Sequence, residues 1–170
     1  AGWQRADALM FVSGAAVSHF FAEGAIARPV EPVHTRFWAP GPGTARQLKE
    51  ALAALGIAPG QIDSPAEDAA QFDSEHLWPL VAPQVRPGSH ILIVRGHSAD
   101  APPGEGPMAG TGRDWLIRQC EAAGARVDAC VAYERRAPVV GEAGRQRMAD
   151  GMKAGSVWLF SSSEALAVLR

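Results

Sequence analysis
The sequence predicts an α/β fold: a doubly wound parallel five-stranded sheet of flavodoxin-like strand order, followed by part of a second, similar domain. Three observations predict it. Short apolar runs alternate with segments of helical period over residues 8–133, the pattern of a parallel α/β protein. One run, "HILIV" at His90–Val94, is apolar with almost no interruption, as in a strand covered on both faces. The turns from strand to helix are small and polar, with serine, glycine or threonine where helices begin, which suits helix caps.

Taken in order, Ala8–Val12 is the first strand and Ala15–Ala22 the helix after it. Thr35–Ala39 is the second strand, ending in "PGPGT". Thr44–Leu55 follows as a helix, because Leu48, Leu52 and Leu55 fall at i, i+4 and i+7 and Gly56 is a stop. A weak third strand lies at Gln61–Ser64, and Asp73 or Ser74 caps a short helix through Leu80. His90–Val94 is the fourth strand. Thr111 to Asp114 has capping-box form ahead of a helix carrying Leu116, Cys120 and Ala123 on one face and closing at Gly124. Arg126–Tyr133 is the fifth strand. Beyond it, residues 134–145 read as a charged, proline-containing linker. Gln146–Met152 is expected as a helix and Ser156–Phe160 as a strand, too little chain for a second sheet unless its other strands come from elsewhere.

Right-handed crossovers put the ligand cleft of such a sheet at the carboxyl ends of its strands. Three helix starts belong to that edge by their position: Ser13, Gly14 and Ala15; Gly43 and Thr44; and Ser161, Ser162 and Ser163. Their first amides suit carboxylate or phosphate, and small residues let a ligand approach the backbone. Each turn taken singly is equally a plain helix cap, Ser161 with Glu164 forming a capping box. Arg95 and Arg113 flank the exit of the fourth strand, as carboxylate partners or as members of structural ion pairs. Tyr133, the sole tyrosine, ends the fifth strand at this edge. Its hydroxyl is placed either to assist a leaving group as a weak general acid or simply to pack against the linker.

Composition narrows the rest. The 170 residues are 47% hydrophobic and 20% charged, with a formal net charge of −2. That is an ordinary globular balance with no basic stripe for nucleic acid. No run is long and apolar enough for a membrane span, and the start "AGWQRADALMF" lacks signal-peptide form, so a cytoplasmic location is expected. The five histidines lack mutual metal-ligand spacing, so no metal site is expected. Cys120 and Cys130 read as buried free thiols, and the tryptophans as core residues. The segment Gly96–Gly112 reads as a long loop rich in glycine and proline on the functional edge.

The motifs "FVSGAAV", "APGPGTARQL", "FDSEHLW", "ILIVRG" with "GRDWL", "VAYERR" and "VWLFSSSEAL" occur in this order. Their order and spacing resemble those of uroporphyrinogen-III synthase, across most of the chain. Ser13-Gly-Ala stands where the family has Ser-Pro-Asn, a departure that keeps the small turn and removes an amide side chain. The resemblance implies one α/β domain inserted into another, with residues 8–133 as the inserted domain and residues 146–170 as the partial return into the split one. It implies a small-molecule substrate, the linear tetrapyrrole hydroxymethylbilane, and a cyclising hydro-lyase reaction with inversion of the terminal ring. It further implies no metal or organic cofactor, no nucleic-acid or membrane partner, a monomer, and at most a transient contact with the preceding pathway enzyme. The substrate carries acetate and propionate groups on every ring, which backbone amides hold without a basic surface.

Other classes share the fold. A flavodoxin-like module would want a hydroxyl-rich phosphate loop after the first strand, where "SGAAV" supplies only Ser13. A receiver domain would want an acidic pair and a phospho-accepting aspartate at strand ends. A non-catalytic ligand-binding domain of the same fold stays open.

Overall fold
The apolar runs become strands because each is covered on both faces. The computed structural model of the chain describes residues 2–22, 28–99, 114–153 and 155–159, which divide into two units, Ala1–Arg135 and Arg136–Arg170. In the first unit the elements in order are β1 (Ala8–Phe11), α1 (Gly14–Phe20), β2 (Arg36–Trp38), α2 (Pro42–Ala54), β3 (Ile62–Asp63), α3 (Ser74–Val81), β4 (His90–Ser98), α4 (Asp114–Ala122) and β5 (Arg126–Arg135). All strand pairs are parallel, and every residue of β1 is buried.

Alternation along the strands builds two cores. Leu9, Phe11, Phe37 and Val94 pack with Val17 of α1 and with Leu48 and Leu52 of α2. Met10, Trp38, Ile91 and Ile93 pack with Leu77 and Val81 of α3 and with Leu116 and Cys120 of α4. The sheet is thus wound on both faces, as right-handed crossovers require when the chain reverses direction across it.

The strand order is β3-β2-β1-β4-β5, whereas the flavodoxin-like order would be 2-1-3-4-5. The third strand decides the matter. Ile62–Asp63 is two residues long and only half-buried, so it serves as an edge and cannot occupy a central place beside β1. β4 takes that place, nine residues long and paired on both sides. The direction of winding therefore reverses between β1 and β4, and the cleft at the carboxyl ends opens near β1.

Local boundaries follow cap chemistry. Ser13 caps α1, its Oγ accepting the Ala16 N–H. α2 begins at Pro42, two residues before the expected Thr44, since proline fits the first helical turn. Gly56 follows α2 at φ +73°, the left-handed conformation that ends helices. Asp73 caps α3 by accepting the His76 N–H, and its carboxyl is held below the usual range chiefly by the His76 side chain. Cys120 and Cys130 are free thiols. Burial pushes the Cys120 thiol up to about 11, with Glu121 adding to the rise.

Two boundaries differ in ways that bear on the site. β4 continues to Ser98 rather than stopping at Val94, so Gly96, His97 and Ser98 are strand residues where a loop was expected. β5 continues to Arg135, which places Tyr133 inside a ladder, two residues before the strand's end. Each strand extends because the other is there to pair with it. The remainder of the expected loop, residues 100–112, lies outside the described residues.

In the second unit α5 (Glu142–Gly151) starts one turn before the expected Gln146. Ser156–Leu159 forms no strand, in contrast to the expectation, and Val157 and Leu159 are exposed. A strand needs a partner edge, and no strand is present among the described residues of this unit. Trp158 instead donates its indole N–H to the Gly151 carbonyl at 2.7 Å.

Candidate functional site
At the carboxyl edge, the β1–α1 turn and the β2–α2 turn face each other across an open cleft of about 490 Å³. Val12, Ser13 and Gly14 form one wall and Gly41, Gly43 and Thr44 the other, with Gln47 and Phe72 completing it. Both turns are short because β1 and β2 are neighbours and each runs directly into its helix.

The α2 wall offers hydrogen-bond donors. Gly41 is the N-cap and Pro42, without an N–H, is the first helical residue. The amides of Gly43 and Thr44 follow, and first-turn amides have no acceptor within their own helix. A Cβ added at Gly43 would meet nothing within 4 Å, so ligand can approach the backbone there. The α1 wall is different. A Cβ on Gly14 would come within 2.7 Å of Gln47 Cδ, so the space over Gly14 is filled by the Gln47 amide, which accepts from Ser18 Oγ at 3.4 Å. Ala15 is exposed on α1 and does not line the cleft.

Tyr133 comes to this edge from the far side of the sheet. Its hydroxyl lies 3.5 Å from Ser13 Oγ, across 120 residues of sequence. Its ring lies over Gly96 and is stacked with the His19 imidazole, with centroids 4.9 Å apart and planes at 20°. Ser13 therefore joins the cleft to the tyrosine. Its Oγ already accepts the Ala16 N–H at 3.2 Å, which leaves its proton for another acceptor.

Of the residues expected here, Ser13, Gly14, Gly43 and Thr44 line one cleft, and Tyr133 meets it through Ser13. Arg95 does not join them. It is buried, its Nε donates to the Gly96 carbonyl at 3.4 Å, and strand alternation puts it with Ile91 and Ile93, on the sheet face opposite Tyr133. Arg113, Ser161, Ser162 and Ser163 lie outside the described residues. Gln47, Phe72 and His19 are cleft or tyrosine neighbours that were not expected as site residues. Gln47 and Phe72 lie within the motifs "APGPGTARQL" and "FDSEHLW", whereas His19 lies in none.

Among the described residues no group of three or more His, Cys, Asp or Glu side chains is placed to hold a metal ion. No helix among them is long and apolar enough to cross a membrane. What the edge does offer is two first-turn amides at Gly43 and Thr44, an aromatic rim at Phe72 and, beside Ser13, one phenol.

No curated protein matches the chain. The family model described as uroporphyrinogen-III synthase HemD matches residues 1–170. With a match that runs from the first residue to the last, on a doubly wound α/β sheet, the chain belongs to the uroporphyrinogen-III synthase family, whose members are enzymes of tetrapyrrole synthesis.

Proposed function
We propose that the protein cyclises hydroxymethylbilane to uroporphyrinogen III, with loss of water and inversion of the terminal pyrrole ring, as a hydro-lyase. The observation that carries this reading is the Tyr133 hydroxyl at 3.5 Å from the Oγ of Ser13, a residue that lines the cleft. The amides of Gly43 and Thr44 receive a carboxylate of the substrate, in a place where a charge-assisted bond needs no arginine. Phe72, 44% exposed, offers a flat apolar surface to a pyrrole ring.

In the first step the hydroxymethyl C–O bond breaks as the adjacent pyrrole nitrogen supplies electrons, giving an azafulvene. Ser13 Oγ accepts the Ala16 N–H and lies 3.5 Å from the Tyr133 oxygen; in this step it serves as hydrogen-bond donor to that oxygen. The phenol proton is then directed at the departing oxygen, which leaves as water. The substituted carbon of the terminal ring attacks the azafulvene to form a spiro intermediate, which fragments and recloses with that ring inverted. The proton released at the final closure returns to the phenolate, so hydroxymethylbilane yields uroporphyrinogen III and one water. The electrophile belongs to the substrate, and the protein's larger share is holding the chain in the closing shape.

Residues 8–133 serve in this reading as the inserted domain, 134–145 as the connection and 146–170 as part of the split domain; the division of the chain after Arg135 is in keeping with it. The protein works in the cytoplasm as a monomer, with at most a transient contact with the enzyme that makes its substrate. The test is incubation with hydroxymethylbilane and chromatographic separation of the products. Type III isomer above the spontaneous background is the expected result. Type I isomer alone, with substrate bound, would assign the cleft to a non-catalytic binding role.

A further inference from the structure
The Tyr133 side chain is held by a residue on each side of its ring, and we infer that His19 and Gly96 are positioning residues, a clamp that keeps the Tyr133 hydroxyl against Ser13. The inference rests on the reading of Tyr133 as the acid. It begins in the β4–β5 ladder, where Arg95 pairs with Val131 but Gly96 pairs with Tyr133. Ala132 is therefore an extra residue, a bulge, and bulges in parallel sheets are rare and re-aim side chains. Without it Gly96 would face Ala132, and Tyr133 would pair with His97 and point to the opposite face of the sheet. With it, Tyr133 joins Val94 and Cys130 on the α1 face.

That face has room for a phenol ring only because position 96 lacks a side chain. A Cβ there would come within 2.8 Å of the Tyr133 hydroxyl and closer still to Cζ, less than van der Waals contact allows. From the other side α1 supplies His19, whose imidazole lies near-parallel to the phenol ring at 4.9 Å between centroids. His19 is itself exposed, so its position is not required by the core. Phe20 and Val17, by contrast, pack into the core from the same helix. Sheet and helix together restrict a ring that would otherwise swing about two side-chain torsions, and this restriction holds the hydroxyl at the cleft.

Tyr133 is the sole tyrosine, so protein labelled at tyrosine Cζ gives one carbon resonance that reports this ring alone. The experiment measures that resonance in His19→Ala, His19→Phe and Gly96→Ala, and kcat and KM for type III formation in these three and in Tyr133→Phe. His19→Ala should shift the resonance and lower kcat about three- to tenfold, the range of an aromatic pair, with KM unchanged. His19→Phe, which keeps a ring in the stack, should restore kcat. Gly96→Ala should lower kcat as far as Tyr133→Phe does. The clamp is overturned if the resonance stays in place in both His19→Ala and Gly96→Ala, or if both keep parental kcat while Tyr133→Phe loses it. Failure of His19→Phe to restore kcat overturns the stacking role of His19. Parental kcat in Tyr133→Phe overturns instead the acid role beneath it, with the resonance shifts still showing whether the ring is clamped.

Discussion

Gly96 stands opposite Tyr133 in the sheet, one residue out of the register that Arg95 keeps with Val131. That single offset turns the phenol toward α1 and Ser13. The contact between Tyr133 and Ser13 thus depends on an irregularity in an otherwise regular ladder.

Removing the hydroxyl alone tests its part in the chemistry. Tyr133→Phe keeps the ring against Gly96 and His19, so the fold should be intact. Single-turnover formation of the type III isomer should slow about tenfold, below the range of about 10²–10⁴ for a dominant general acid, because the electrophile is the substrate's own. A rate equal to the parent's would remove Tyr133 from the mechanism.

The two residues of the α2 turn separate backbone from side-chain binding. A Cβ at Gly43 meets no protein atom within 4 Å, so Gly43→Val should fold normally while it blocks the approach to the amides. Substrate-analogue affinity, read by calorimetry, should fall about tenfold, the cost of one lost charge-assisted hydrogen bond. Thr44→Val, at a buried position that keeps its shape, should leave affinity nearer the parent's. Equal affinities in all three proteins would place the carboxylate elsewhere.

Acid should weaken the amino-terminal ends of β4 and β5. His90 Nε2 lies 2.8 Å from Asp128 Oδ2, and Arg126 pairs with the same oxygen at 2.6 Å. The His90 hydrogen bond is the main reason the Asp128 carboxyl sits below its ordinary value of 3.8; desolvation opposes it and Arg126 adds to it. A carboxyl depressed in the folded state contributes stability that is complete above its unfolded value and lost as pH falls through the folded one. Urea unfolding should therefore find Asp128→Asn less stable than the parent near about pH 7, with the gap closing below about pH 3. A gap independent of pH would show that the ion pair is not its source.

Both thiols should be silent in the folded protein. Burial raises Cys120 to about 11 and raises Cys130 as well, and the thiolate is the reactive form. At about pH 8 a disulfide reagent should label Cys120 only as fast as the protein unfolds, so labelling should accelerate with added urea in step with unfolding. Rapid labelling of Cys120 without denaturant would contradict its place against Leu116 in the core.

Much of the sheet was legible in the residues, since "HILIV" and the Leu48–Leu52 face each obey one period from end to end. Strand order was less so. Periodicity describes single elements, and the flavodoxin-like order was overturned by a property already visible, the shortness of the "QIDS" run, once an edge strand is asked for. The cleft was legible where one turn makes a wall of it, at Ser13 and at Gly43–Thr44. It was not legible where distant elements meet, because no local pattern tells that His19 will lie on Tyr133 or that Gln47 will cover Gly14. Arg95 misled for the same reason. It was expected at the strand's exit, but β4 runs on to Ser98 and leaves it inside the ladder, on a face set by register with β5.

The order β3-β2-β1-β4-β5 also has a consequence for how the chain folds. β1 finds β2 across a short stretch, but its other neighbour pairs as Ala8 with Ile91, some eighty residues later. Closing so large a loop costs conformational entropy before any contact rewards it, which makes such pairings slow. The segment from β1 to α2 can gather locally, while the central seam of the sheet waits for β4. Ser13 meets Tyr133 only after that seam and the β4–β5 ladder have formed, so this pair is brought together by the last long-range contacts to close.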